Sequence, residues 1–119
     1  MLSEKSVLVV EDAALIAVDI ETMLDELGAA RIVTAGGGEI ASATQITGEP
    51  FDIAIVDIHT AASLEGNIAE ALDGLGVPAI FLTTDPEGDN VPPFNGEHVV
   101  VLKPFTYEDM YAAIARLLP

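Results

Sequence analysis

The sequence predicts a doubly wound α/β domain: a five-stranded parallel sheet with helices packed on both faces. Three observations lead there. Five short apolar runs rich in β-branched residues recur along the 119-residue chain, at 7–10, 31–34, 51–56, 79–82 and 99–102. The runs are continuous rather than alternating, which suits strands buried on both faces, as in a parallel sheet. Helical patterns lie between them, and strand alternating with helix marks the α/β class.

After the first run, Ile16, Ile20, Met23, Leu24 and Leu27 share one helical face, and Gly28 is placed to end that helix. The second run is followed by a weaker helical pattern over 39–47, and the third by another over 64–75. Beyond the fourth run, Pro86, Gly88, Pro92, Pro93 and Gly96 argue against a regular helix in 85–97, and a loop or a single helical turn is expected there. After the fifth run Met110, Ile114 and Leu117 repeat the helical spacing, with Thr106 and Asp109 forming a capping box at the start. No linker, repeat or low-complexity stretch divides the chain, so one domain spanning 1–119 is expected.

Composition removes whole classes of function. Half the residues are hydrophobic but only 5% are aromatic, so the core must rest on Ala, Val, Ile and Leu. The absence of cysteine excludes a disulfide framework, a thiolate metal site and a cysteine nucleophile. Two histidines, His59 and His98, are too few for a histidine-based metal cluster and read as surface or packing residues. The first residues lack the apolar run of a signal peptide and no stretch is long enough to span a bilayer, so a cytoplasmic protein is expected. Twenty acidic residues stand against four basic ones, a net charge of -16. Lys5, Arg31, Lys103 and Arg116 are too few to neutralise a phosphate backbone, so neither nucleic acid nor an anionic membrane is an expected partner.

In an open parallel sheet, ligands bind beyond the carboxyl ends of the strands. Glu11 and Asp12 follow the first strand, Asp57 the third, Thr83 and Thr84 the fourth, and Lys103 the fifth. Carboxylates converging in one crevice repel each other unless a cation sits among them. Oxygen ligands without histidine or cysteine favour a hard ion, most naturally Mg²⁺. A lysine and a threonine hydroxyl opposite could hold the oxygens of a phosphoryl group. Carboxylate nucleophile, divalent ion and cationic clamp together suit phosphoryl transfer to an aspartate. Each residue also has a plainer reading. Glu11 and Asp12 could cap the following helix, Asp57 could be a turn residue and Thr83 a strand residue. Lys103 resists such a reading, because an unpaired lysine at the end of a buried strand is costly. Agreement in place and order favours the functional reading.

These blocks resemble the signature blocks of response-regulator receiver domains: Val7-Leu8-Val9-Val10-Glu11-Asp12, Phe51-Asp52-Ile53-Ala54-Ile55-Val56-Asp57, Phe81-Leu82-Thr83-Thr84, and Val101-Leu102-Lys103-Pro104-Phe105. The match runs from about Val7 to Leu117, in the family's order. The resemblance implies the flavodoxin-like strand order 2-1-3-4-5. It also implies a role for each site residue. Asp57 matches the phosphoacceptor, Asp12 a direct Mg²⁺ ligand, and Glu11 the acid that usually acts on the ion through water. The backbone carbonyl of His59 matches the third protein ligand. Lys103 matches the phosphoryl-binding lysine, Pro104 its partner in a cis peptide bond, and Thr83 the hydroxyl that swings toward the phosphoryl group. A histidine kinase or histidine phosphotransfer protein is the implied donor, a further protein the implied recipient of the signal, and a homodimer a possible form.

The chain also departs from the family. Receivers usually carry a proline and a glycine after the phosphoacceptor, whereas His59-Thr60-Ala61-Ala62-Ser63-Leu64-Glu65-Gly66 has no proline. Val100 stands where an aromatic commonly switches, three residues before the lysine. A subgroup of stand-alone receivers carries Phe-Ala-Thr-Gly after the fourth strand, which Phe81-Leu82-Thr83-Thr84 matches in part. His59 and Asp85 match positions that gate the water hydrolysing the acyl phosphate, though either could be only an exposed polar residue. The expected function is a phosphorelay switch with no turnover substrate. A pseudo-receiver that binds partners without phosphorylation is the alternative, and a small hydrolase with an aspartate nucleophile ranks last. Met1 and a helical end near Leu118-Pro119 favour a receiver that works alone.

Overall fold

All five apolar runs become strands of one sheet. The computed structural model describes residues 2–35, 51–62, 68–87 and 91–118. Within them the order is β1 (Ser6–Val10), α1 (Ala14–Glu26), β2 (Arg31–Ala35), β3 (Ile53–Asp57), α2 (Ile58–Ala62), α3 (Ile68–Gly74), β4 (Ala79–Thr83), β5 (His98–Leu102) and α4 (Tyr107–Leu117). Every pairing is parallel and the sheet order is β2-β1-β3-β4-β5, as expected. The register sets Val10 beside Val56, Asp57 beside Leu82, and Thr83 beside Leu102, so the carboxyl ends of β1, β3, β4 and β5 finish level.

Successive side chains of a strand point to opposite faces, and here the central strands feed two cores. Val7, Val9, Ile53, Ile55, Ile80 and Leu82 pack under α1 and α4 with Ile20, Leu24, Met110 and Ile114. On the other face Leu8, Val10, Ala54, Val56 and Phe81 meet Ile68, Ala69 and Leu72 of α3. β1 from Val7 onward, β3 and β4 are buried along their length, as continuous apolar runs require. The two outer strands are a correction to that reading. β2 is only partly covered, and β5 alternates, turning Val99 and Val101 inward and leaving Val100 and Leu102 42% and 46% exposed. An edge strand has a neighbour on one side only, and no helix stands between β4 and β5 among the described residues to cover its second face.

The helix ends follow local rules. α1 closes in a Schellman motif: Gly28, at φ +88°, donates to the Asp25 carbonyl while Ala29 donates to Leu24. Gly76, at φ +72°, repeats it after α3, with bonds to Asp73 and from Val77 to Leu72. The predicted capping box at α4 is present in both its hydrogen bonds, Asp109 N to Thr106 Oγ1 at 3.1 Å and Thr106 N to Asp109 Oδ2 at 2.9 Å. The helix expected over 39–47 lies outside the described residues. Of the helix expected over 64–75, the described part is α3. The short α2, starting directly after Asp57, was not foreseen.

Where a helix would ordinarily link β4 to β5, residues 91–97 cross the sheet without regular structure. Asp73 and Phe94 help to hold them. The Asp73 carboxylate accepts the backbone N–H groups of Asn95 and Gly96, both at 2.9 Å. Phe94 then drops onto Phe81 and His98, and the three rings meet edge-on at centroid distances of 5.4, 5.9 and 5.5 Å. Phe94→Ala is expected to cost about 2 kcal/mol of stability, the worth of most of a buried aromatic. Urea unfolding should show a lower midpoint with an unchanged slope.

Candidate functional site

The level carboxyl ends of the strands form the floor of an open crevice of about 650 Å³, at the point where chain order reverses between β1 and β3. Glu11, Asp12, Asp57, Thr83, Thr84 and Lys103 all line it, so every site residue the sequence placed there is found there. His59 lines it too, from the second residue of α2.

Lys103 joins the acids. Its ammonium lies 2.9 Å from Glu11 Oε2 and 2.9 Å from Asp57 Oδ1, and all three side chains are largely shielded from water. The cation needed between converging carboxylates is therefore supplied by the chain itself. The Lys103 backbone N–H donates to the Thr83 carbonyl at 2.7 Å, and the Lys103–Pro104 peptide bond is cis.

The other Asp57 oxygen is held separately. Oδ2 accepts the Thr60 backbone N–H at 2.8 Å and the Thr60 hydroxyl at 2.7 Å. The first of these is an N-cap bond, with Asp57 as cap and Thr60 as the third residue of α2. Asp57 thus caps α2 through one oxygen, a role its reading as a turn residue did not include, while the other oxygen faces Lys103. Capping does not account for Asp12. The N-cap of α1 is Ala13, which has no side-chain cap bond, and Ala13 N–H donates instead to Glu11 Oε1 at 3.3 Å. Asp12 is exposed, with its Oδ1 3.1 Å from the Thr60 hydroxyl.

Burial pushes the Asp57 carboxyl up, but the Lys103 ammonium and both Thr60 donors outweigh it and hold it below the usual carboxylate range. Burial raises Glu11, the Lys103 bond opposes, the Asp57 charge adds, and the net result is upward. Burial pulls Lys103 down, yet its bonds to Asp57 and Glu11 win and raise it. Two carboxylates in one crevice are thus driven in opposite directions.

Oxygen atoms from Glu11, Asp12 and Asp57, one each, lie within 4.8 Å of one another, and among the described residues this group could hold a metal ion. An all-oxygen donor set fits a hard divalent cation. The His59 imidazole is not a member of the group. Thr83 is buried and its hydroxyl oxygen accepts the Asp85 N–H at 3.0 Å. Asp85 does not line the crevice, and its carboxylate accepts the Glu87 N–H at 3.0 Å. Thr60, fully buried, is the site residue that sequence reading missed. A signal existed: Asp57 and Thr60 repeat the spacing of Thr106 and Asp109 with the residue types reversed.

No protein-family model matches the chain, and no curated protein matches it significantly. Solved structures do. The solution structure of SdrG from Sphingomonas melonis Fr1 has 29% identity and a TM-score of 0.75, covering 100% of both chains. The PhyR stress response regulator has 31% identity and a TM-score of 0.68, covering 97% of this chain and 45% of its own. The BeF3-activated conformation of SdrG from Pseudomonas melonis Fr1 has 31% identity and a TM-score of 0.71, again over 100% of both chains. The chain belongs to the response-regulator receiver domains. As a receiver it also shares its fold with chemotaxis protein CheY4 of Vibrio cholerae, at a TM-score of 0.70 and 23% identity over 98% of this chain.

The opposed titrations have a measurable sign. Asp57, lowered on folding, contributes stability above the usual carboxylate range that is lost as pH falls through its folded pKa. Lys103, raised on folding, contributes stability through neutral pH that is lost as pH rises past its folded pKa. Glu11, raised on folding, acts the other way, and its ionisation costs stability at neutral pH. Carboxyl-carbon NMR titration without divalent ions should find Asp57 below its usual value and Glu11 above it. In Lys103→Met both should titrate higher than in the unaltered protein.

Proposed function

We propose that this receiver is a phosphorelay switch whose Asp57 accepts a phosphoryl group from a histidine kinase or histidine phosphotransfer protein. The observation that carries this reading is the Asp57 carboxylate, set 2.9 Å from the Lys103 ammonium in an open, acid-rimmed crevice. One carboxylate oxygen attacks the phosphorus of a phosphohistidine. The P–O bond forms as the P–N bond breaks, and the imidazole leaves with the electron pair and takes up a proton. The product is an acyl phosphate, and its phosphoryl oxygens fall within reach of the Lys103 ammonium. Charge is stabilised by a group already in place, so little reorganisation is needed at the moment of transfer. Glu11, Asp12 and Asp57, with the His59 backbone carbonyl, would hold Mg²⁺, and when bound it would supply positive charge toward the transferring phosphoryl group.

Thr83 supports the switching step. Its bond from the Asp85 N–H uses an oxygen lone pair, so the hydroxyl hydrogen can be donated toward a phosphoryl oxygen. Donation would draw the start of the β4–β5 connection toward the crevice and bias that loop between two states. BeF3 bound to a carboxylate oxygen takes the tetrahedral shape and charge of a phosphoryl group, and SdrG has a BeF3-activated conformation. Downstream, the switched surface binds a further protein. The receiver turns over no substrate of its own, and a cytoplasmic location and a homodimer both accord with this role.

Intact mass after incubation with a phosphorylated histidine kinase, or with acetyl phosphate, tests the reading. One added phosphoryl group is expected, dependent on Mg²⁺ and absent in Asp57→Asn. No adduct from either donor would sink the switch and promote the phosphorylation-independent interaction module.

A further inference from the structure

Thr60 stands where the family resemblance assigns nothing, yet it touches two of the three acidic residues of the crevice. Its hydroxyl is 2.7 Å from Asp57 Oδ2 and 3.1 Å from Asp12 Oδ1, and it accepts the Asp12 backbone N–H at 3.3 Å. Its own backbone N–H reaches the same Asp57 oxygen at 2.8 Å. The residue is fully buried, in the first turn of the helix that Asp57 itself begins.

Three consequences follow from elementary chemistry. Two donors converging on Oδ2 from one residue fix the rotation of the Asp57 carboxylate, whose terminal torsion is otherwise broad. With Oδ2 held, Oδ1 is the oxygen turned to Lys103, at 2.9 Å. A hydroxyl carries one hydrogen, so Thr60 can donate to Asp57 or to Asp12 but not to both at once. It therefore couples the end of β3 to the β1–α1 connection.

We infer that Thr60 is a positioning residue for the phosphoacceptor: it holds Oδ2, leaves Oδ1 on the Lys103 side as the attacking oxygen, and braces the Asp12–Asp57 pair against a divalent ion. The first two parts rest on the phosphoryl-transfer reading above; the third does not. Groups behind the ligands of a metal site orient those ligands, and their loss typically weakens binding. A carboxylate free to rotate also spends less time in the geometry of attack.

Two substitutions separate the hydroxyl from the packing around it. Thr60→Val keeps the shape and removes the hydroxyl, whereas Thr60→Ser keeps the hydroxyl and removes the methyl group. Thermal unfolding first establishes that both variants fold. Mg²⁺ affinity by calorimetry and the maximal phosphorylation rate with acetyl phosphate are then measured for each. Thr60→Val is expected to weaken Mg²⁺ binding about tenfold and to slow phosphorylation about tenfold, at unchanged half-saturation by the donor. Thr60→Ser should recover most of both.

The outcomes are distinct. Thr60→Val matching the unaltered protein in both readouts would overturn the inference while leaving the switch intact. So would Thr60→Ser failing as badly as Thr60→Val, since packing rather than the hydroxyl would then be responsible. Mg²⁺ binding that depends on the hydroxyl, in a protein that no donor phosphorylates, would retain the bracing role and reject both the switch and the choice of oxygen. A protein that neither binds Mg²⁺ nor takes a phosphoryl group would reject both inferences.

Discussion

Lys103 sits between Glu11 and Asp57 at 2.9 Å from each, and this three-way ion pair is the constraint around which the rest of the domain is arranged. Two carboxylates brought this close, and largely out of water, would repel each other and force one to protonate. The ammonium offsets much of that penalty, though Glu11 stays raised, and it does so only if β1, β3 and β5 deliver their ends to the same level. Parallel pairing in the order β2-β1-β3-β4-β5 does so. β4 lies between β3 and β5 and sets the width of the gap that the lysine must cross. The apolar strands are thus a positioning device as much as a core.

Much of this arrangement was legible in the sequence, because local rules govern it. The five runs marked the strands, Gly28 the end of α1, and Thr106 with Asp109 the start of α4. The acids and the lysine were legible as a group because each directly ends or follows an apolar run, and parallel topology gathers such positions at one edge. What stayed hidden depends on contacts distant in sequence. Nothing local shows that the Asp73 carboxylate will take the amides of Asn95 and Gly96, or that Phe94 will cover Phe81. The one-sidedness of β5 was hidden for the same reason, since Val100 and Leu102 look as buried as Val101 until the missing cover is known.

Thr60 was overlooked for a different reason. Its hydroxyl is polar but its surroundings are not, and in a stretch of alanines it reads as a spacer. The helix that begins at Ile58 turns it back onto the acid three residues earlier. Attention to the i, i+3 spacing at Asp57, as was given at Thr106, would have found it.

If Asp57 is the phosphoacceptor proposed above, its two oxygens divide between architecture and chemistry, and this bears on how the activated state can be imitated. Glutamate could stand in for a phosphorylated aspartate only because its longer reach carries charge further into the pocket. Here the extra methylene would lift the carboxylate off the amide of Thr60, and glutamate is not among the good helix caps. The replacement would supply negative charge and, in the same stroke, unfasten the first turn of α2. An acidic surrogate at position 57 would thus mimic the modified charge on an altered first turn of α2, whereas asparagine, which caps as well as aspartate, keeps the cap but gives up the ion pair with Lys103.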